Sequence, residues 1–422
     1  MYSSSNRLFR QYNLSDIPGL NDLINNDNVN ETKILKLNKI ECKTNNNQKY
    51  KVIVYDKQLL NNELISTFGL CRSIIVNSTN QVVSFAPPKS ISSELFIQKY
   101  PFKTENIVAQ EFVEGTMINV FWDQNIGLYG DWEIATRNTV GATSCFYKYY
   151  KNNNFTFRDM FFEAAKENNL NLNLLNRRYC YSFVLQHPNN RIVVPINKPQ
   201  LYLISIYDIY QSEDKLFVVP QHIDSFKLYN WNSTTIKFPK KYECSDYSSL
   251  INKYSSMNTP YDILGVVLYN NETGERTKIR NPVYEQVRQL RGNQPKLQYQ
   301  YLCLRKEGKV SSYLKYYPEN KSEFSYFRDQ IHLFTNTLYN NYLSCYIKKE
   351  SPLINYPEQF RTHMFNLHQK YLNELREQKL FVSNTVVIKY VNEMHPSLLM
   401  YCLNYQMRKR NVDLMKIESE LK

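Results

Sequence analysis

Glu111-Phe-Val-Glu-Gly-Thr116 leads directly into Met117-Ile-Asn-Val-Phe-Trp122, a run of strand-forming residues. An acid-glycine pair placed before such a run reads as a tight turn between two strands. The residue ahead of that turn limits its chemistry. A lysine with a lowered pKa can attack a phosphorus atom, but Phe112 offers a phenyl ring with no lone pair to donate. The stretch therefore specifies an architecture more clearly than a reaction.

Outward from this turn the chain is rich in short β-forming runs closed by turn residues. They are Tyr50-Lys-Val-Ile-Val-Tyr55, Arg72-Ser-Ile-Ile-Val-Asn77, Gln81-Val-Val-Ser-Phe85, Trp132-Glu-Ile-Ala-Thr136, Tyr181-Ser-Phe-Val-Leu185, Leu201-Tyr-Leu-Ile-Ser-Ile-Tyr207 and Gly265-Val-Val-Leu-Tyr269. One helix is predicted over Phe157 to Asn168, with Phe161, Phe162 and Ala165 on a shared face. After residue 310 the period changes. Phe324, Phe327, Ile331, Phe334, Leu338 and Tyr342 form one apolar helical stripe, and Phe360, Met364, Leu367, Tyr371 and Leu375 form a second. A last helix is predicted from Pro396 to Arg408, since proline is tolerated in a first turn. The fold class that follows is α+β, an antiparallel-rich domain followed by an all-helical C-terminal domain. The expected boundaries are a polar extension over residues 1–45, the β-rich domain over 46–295 and the helical domain over 310–422. The extension, Asn-rich at 25–30, reads as a helix or two joined by solvated loops rather than as core.

A chain of 422 residues carrying a net charge of +13 has a surface that attracts polyanions, nucleic acid first. The eight cysteines are scattered, with no CxxC pair and no Cys/His ligand spacing, and read as reduced thiols. Met1 to Arg7 lacks the apolar run of a signal peptide, and no window reaches the roughly 18 apolar residues of a membrane span. A soluble protein of a reducing compartment, cytoplasmic or in a virion, is expected, with no membrane partner. His363 and His368 lie five apart and so diverge around a helix, and no metal site is expected. Phosphate-loop, dinucleotide and nucleophile-elbow motifs have no counterpart in the sequence.

Several ordered segments resemble the phage-type RNA ligases that repair broken tRNA, members of the covalent nucleotidyltransferase superfamily. Cys71-Arg-Ser-Ile-Ile-Val76 is similar to the family's RG-plus-hydrophobic strand, and Phe85-Ala-Pro-Pro-Lys89 to the lead into the nucleophile strand. Ala135-Thr-Arg-Asn138 resembles the basic segment that follows. Tyr181-Ser-Phe-Val-Leu-Gln-His-Pro-Asn-Asn-Arg-Ile-Val193 is the most specific match, to a strand reading roughly FEFVxPxNRIV. Leu264-Gly-Val-Val267 falls where the family has EGVV, and Lys278-Ile-Arg280 where it has a phosphate-contacting lysine pair. The likeness spans about residues 50 to 290, and the chain as a whole also looks like RNA ligase-like proteins of large DNA viruses.

In the family, the motif lysine attacks the α-phosphate, the following acid holds the ribose, and two further carboxylates hold metal and substrate. Here those places carry Phe112, Glu114, Ser182 and Leu264. The resemblance thus implies no catalytic residue at position 112. It carries nucleotide or phosphate binding over to Arg72, Glu114, Arg137, Arg191, Lys278 and Arg280. Glu114-Gly115 and His187 to Arg191 also read as ordinary turns, and Lys278 and Arg280 as a solvated strand face.

The densest basic run, Arg276 to Lys309, holds nine Lys or Arg against two acids, with Tyr284, Tyr299 and Tyr301 interleaved. Arg288, Arg291, Lys296, Tyr299 and Arg305 are its candidates for contacts with nucleic acid; a charged linker is the plain alternative. The reading that emerges is an RNA ligase-like protein that binds single-stranded or tRNA-like RNA, or another polyanion, without forming a covalent nucleotide adduct; no cofactor is assigned to it. Two rivals stand beside it. One is an active ligase using ATP and Mg with Lys89 or Lys103 as a displaced nucleophile. The other is a virion scaffold that binds viral proteins.

Overall fold

The computed structural model describes residues 11–25, 33–146, 155–221, 231–243, 245–410 and 412. The readings made on residues 1–7, on residues 26–30 and on Cys244 fall outside these. The chain divides into two compact units, Met1–Phe146 with Asn152–Arg288, and Tyr147–Lys151 with Gln289–Lys422.

The first unit is built on three sheets whose ladders are all antiparallel, which confirms the α+β class. Strands are numbered in chain order. One sheet runs β2 (Lys33–Ile34), β3 (Leu37–Lys43), β4 (Lys49–Tyr55), β5 (Ile74–Val76) and β6 (Val82–Phe85). A second runs β1 (Tyr12–Asn13), β12 (Lys215–Pro220), β11 (Gln200–Ser212), β10 (Tyr179–Gln186), β8 (Thr116–Asp123) and β9 (Asp131–Ala135). The third runs β13 (Lys241–Tyr242), β7 (Ile107–Glu111), β14 (Gly265–Asn270) and β15 (Arg276–Arg280).

Central strand β10 is apolar on both faces because both are covered. Tyr181, Phe183 and Leu185 pack against the helix Phe157–Glu167, while Cys180 turns to the other side and joins Phe85 and Tyr207 in a separate core. That helix is fixed at its start by a reciprocal bond set between Thr156 and Asp159, a capping box. Its buried face is Phe157, Met160, Phe161, Ala164 and Ala165. Phe162, expected on that face, is 41% exposed and lies under the Arg158 guanidinium at 5.2 Å. One position past Phe161 turns a side chain by about 100°, off the buried stripe.

Two expectations are corrected. The N-terminal stretch is not solvated: Leu14, Ile17, Leu20, Leu23, Ile24 and Leu37 are buried in the core that also holds β4, β5 and β6. Its apolar residues are sparse but periodic, and the Asn-rich composition hides them. The second concerns the turn read at His187 to Arg191, which calls for a strand at Ile192 to Val194 beyond it. These residues form no strand. The amides of Val193 and Val194 donate instead to a carboxylate from elsewhere in the chain.

The second unit is helical. All six residues of the first stripe are buried along the helix Lys321–Tyr342. Phe360, Met364 and Leu367 are buried on Glu358–Lys370, with Leu375 buried in the following wide turn and Tyr371 half-buried. Pro396 opens the helix Pro396–Leu403 in its first turn, capped by the His395 side chain. The described cysteines form no disulfide, and no helix among the described residues is long and apolar enough to cross a membrane.

Candidate phosphate-binding site

Phe112 follows β7 directly, and its amide reaches the carbonyl of Gly265 on β14 at 3.4 Å. That approach depends on the glycine. Gly265 has φ +134°, and a Cβ there would stand 2.1 Å from the Ile279 carbonyl oxygen. Gly115 is fixed in the same way, with φ +145° and a would-be Cβ 2.4 Å from the Leu185 carbonyl oxygen.

Strand β15 alternates its side chains, so Arg276, Lys278 and Arg280 share one face while Ile279 packs on the opposite side against a core of β7 and β14 residues. The two outer cations converge on position 112. Lys278 Nζ lies 4.8 Å from the Phe112 ring centroid and the Arg280 guanidinium lies 5.5 Å from it. Arg276 is buried behind them. It donates to the carbonyls of Pro87 and Pro88 and, at 3.1 Å, to the Tyr269 hydroxyl. With the bonds from the Ile91 amide to the Arg276 carbonyl and from Thr277 Oγ1 to the Ile91 carbonyl, this ties β15 to the segment after β6. That segment carries Lys89, whose amide bonds the Gly69 carbonyl at 2.9 Å. Arg72 precedes β5, and Arg137 donates to the Arg72 carbonyl while lying over the Tyr55 ring at 4.9 Å.

The electrostatics of this convergence are one-sided. Burial, reinforced by Arg276, Arg72, Arg280 and Lys89, pushes the Lys278 amine down to about 6. Burial and then Arg276 bring Arg72 down to about 10, and Lys89 is lowered by burial and by Arg72, Arg137, Arg276 and Arg280. Among the described residues, Arg280 has a carboxylate partner, Glu285 at 2.6 Å, while Arg72, Lys89, Arg137, Arg276 and Lys278 form no ion pair. Such a set has the charge to attract a multiply charged anion.

Glu114 is turned to another task. It is buried, and its oxygens accept from the amides of Val193 and Val194 at 3.2 and 3.1 Å and from the Tyr284 hydroxyl. Burial raises its pKa against these bonds. Arg191 acts on Glu114 and donates to the Val193 carbonyl at 3.1 and 3.0 Å. Of the six sequence candidates for phosphate binding, the structure thus gathers Arg72, Arg137, Lys278 and Arg280 and sets Glu114 with Arg191 in a separate clasp. Ser182 donates to Asn119 Oδ1 across the β10–β8 ladder at 2.8 Å, and Leu264 is buried. His187 is buried, with Nδ1 accepting from the Asn189 amide and Nε2 facing Glu163 at 3.2 Å.

Sequence reasoning undervalued Lys89, taken only as a stand-in nucleophile, and Arg276, counted only within a basic run. The alternation of Arg276 with Lys278 and Arg280 was the available signal for the second. In the basic run itself, Tyr284 and Tyr301 are buried, so they serve packing and the Glu114 clasp rather than base stacking. Arg288 pairs with Glu285 at 3.2 Å. Arg291 is buried, with its guanidinium 5.8 Å from the Tyr317 ring. Lys296 is exposed, and Tyr299 and Arg305 lie six positions apart on the helix Leu297–Lys306, Arg305 bonded to Asn392. Spacing of that kind points two side chains to different sides.

No family model matches the sequence. The chain is 22% identical over 355 residues to the immediate-early protein ICP-46 homolog of Invertebrate iridescent virus 6, covering 73% of each. It is 23% identical over 237 residues to an RNA ligase of Rhodothermus phage RM378, covering 50% of this chain and 51% of that one. This is an RNA ligase-like chain with viral relatives. Among solved structures, a Naegleria gruberi RNA ligase with ATP and Mn matches at TM-score 0.34 and 15% identity over 48% of this RNA ligase-like chain and 58% of its own. An archaeal ATP-dependent RNA ligase matches at TM-score 0.37 and 10% identity over 68% of each.

Proposed function

We propose that this RNA ligase-like protein binds RNA, or another phosphate-bearing polyanion, through the cations gathered around Phe112, and that it stores no nucleotide at position 112. The observation that carries the reading is the placement of Lys278 and Arg280 against the Phe112 ring, within a set of charges acting on Lys278 that are all positive. A phenyl ring leaves no route to a phosphoramidate there, while the surrounding cations remain suited to phosphate. We also propose the division into a β-rich domain and a helical domain as the functional one.

The test is filter binding of single-stranded RNA and of tRNA across a salt series. Affinity that falls steadily with salt, and falls further in Lys89→Gln, supports the reading. Binding that is absent at low salt or indifferent to salt removes it.

One observation favours a second reading. Lys89 lies among the same cations with its pKa lowered by burial and by their charge, as a displaced nucleophile for ATP would require, with Mg supplied in solution. A radiolabelled adenylate that stays on the protein through a denaturing gel, and disappears in Lys89→Gln, would establish it.

A further inference from the structure

The ATP-and-metal chemistry of ligases needs carboxylates that can reach a divalent ion, and the donors around Phe112 do not provide them. The Glu114 carboxylate is buried and engaged by two amides and a tyrosine hydroxyl. Glu285 is held by Arg280 and Arg288. Ser182 and Leu264 bring no charge, and the Ser182 hydroxyl is used by Asn119. Among the described residues, no group of three His, Cys, Asp or Glu side chains is placed to hold a metal ion. Hard divalent cations take oxygen ligands, carboxylates above all, so magnesium fits poorly against this surface. Arg72, Lys89, Arg137 and Arg276, cations without a carboxylate partner, would repel it.

We infer that the site takes a terminal triphosphate as the free, metal-stripped anion, with Arg72, Lys89, Arg137, Arg276 and Lys278 supplying the neutralisation that a divalent ion supplies elsewhere. The inference rests on the phosphate-binding reading above and narrows it to a ligand class. Charge complementarity selects the triphosphate over a single phosphate. A free triphosphate carries about four negative charges near neutral pH, and magnesium cancels two of them, so the complex is attracted far less by the same cations. The position of Phe112 adds to this. Its uncharged ring lies against Lys278 and Arg280 and brings no carboxylate to neutralise them. Lys89 is exposed, and Arg72 and Arg137 are half-buried, so these three are reachable from solvent, while the buried Arg276 contributes only its field.

The experiment is calorimetric titration of the full chain with ATP, inorganic tripolyphosphate and a short RNA carrying a 5′-triphosphate, each in EDTA and in excess magnesium. Binding in EDTA that weakens on the order of tenfold in magnesium is the expected result. Lys89→Gln, an exposed site that leaves the fold alone, should weaken the EDTA binding several-fold, and Arg72→Gln more so if its melting temperature is kept. ATP binding without the RNA assigns free nucleotide as the source, the reverse assigns an RNA end, and either outcome supports the inference. Binding that requires magnesium or manganese, or is strengthened by it, overturns the inference and leaves the phosphate-binding reading intact. No binding of any of the three in either buffer by a protein with a normal melt overturns both.

Discussion

Lys278 holds its amine over an aromatic ring while burial and the cations Arg276, Arg72, Arg280 and Lys89 oppose its charge. In the unfolded chain a lysine titrates near 10.4, whereas in the fold this one titrates at about 6. Between those values the unfolded state binds the extra proton, so the contribution of Lys278 to stability is fully present above about 10.4 and is lost as pH falls toward 6. Replacing it by Met should therefore stabilise the fold at pH 7, by on the order of 1–2 kcal/mol once solvent screening at a half-buried position is allowed for. Thermal melts from pH 6 to 10 should show a flatter profile for the variant; an unchanged slope would mean the amine is charged throughout. An anion at the site restores the proton, so its affinity should decline as pH rises from 6. Calorimetry in buffers of different ionisation enthalpy should register proton uptake on binding. Gly265 offers a second residue-scale test. Its Cβ in Gly265→Ala would stand 2.1 Å from a backbone oxygen at φ +134°, which should cost about 2–4 kcal/mol in urea unfolding; a loss below about 1 kcal/mol would show that β14 and β15 can separate freely.

At the scale of elements, the Glu114 clasp joins the turn before β8 to the segment after β10 and to the helix Pro282–Arg291. Glu114→Ala should leave two amides and a hydroxyl without partners and cost about 2–4 kcal/mol. Amide exchange at Val193 and Val194 should accelerate more than exchange in β10, and uniform acceleration would argue against a local clasp. None of this was readable in the chain itself, because Val193 lies 79 residues from Glu114 and an acid-glycine pair looks the same whether it closes a turn or pins a distant loop. By contrast, the shared face of Lys278 and Arg280 was legible from alternation alone, since period two places them together whatever they face, and Arg276 proved to lie on the same face. The helix Lys321–Tyr342 was legible for a similar reason, as its stripe repeats over about five turns and every member is buried. The N-terminal core was missed because Leu14, Ile17, Leu20 and Leu23 are spaced for burial but diluted by polar neighbours. Tyr284 and Tyr301 were misassigned because a tyrosine's sequence context does not say which way its ring points.

For the whole molecule, a charge of +13 is distributed over two units with separate internal packing. The gathered cations belong to the first unit, while the second carries its own buried stripe along Lys321–Tyr342. A fragment of residues 289–422 is expected to give a helical circular dichroism spectrum and a cooperative melt but no titratable triphosphate binding. A fragment that stays unfolded would show that the helical unit depends on the first for its stability, and one that binds triphosphate as the full chain does would relocate the site.

The clasp around Glu114 also bears on what a nucleophile placed at position 112 could do. An amine introduced by Phe112→Lys would arrive beside an acid whose lone pairs are already committed to Val193, Val194 and Tyr284. The variant is expected to remain unlabelled by radioactive ATP in the presence of Mn. The carboxylate of Glu114 is a rivet between distant segments of the chain, and drawing it away toward a ligand would loosen the scaffold around position 112.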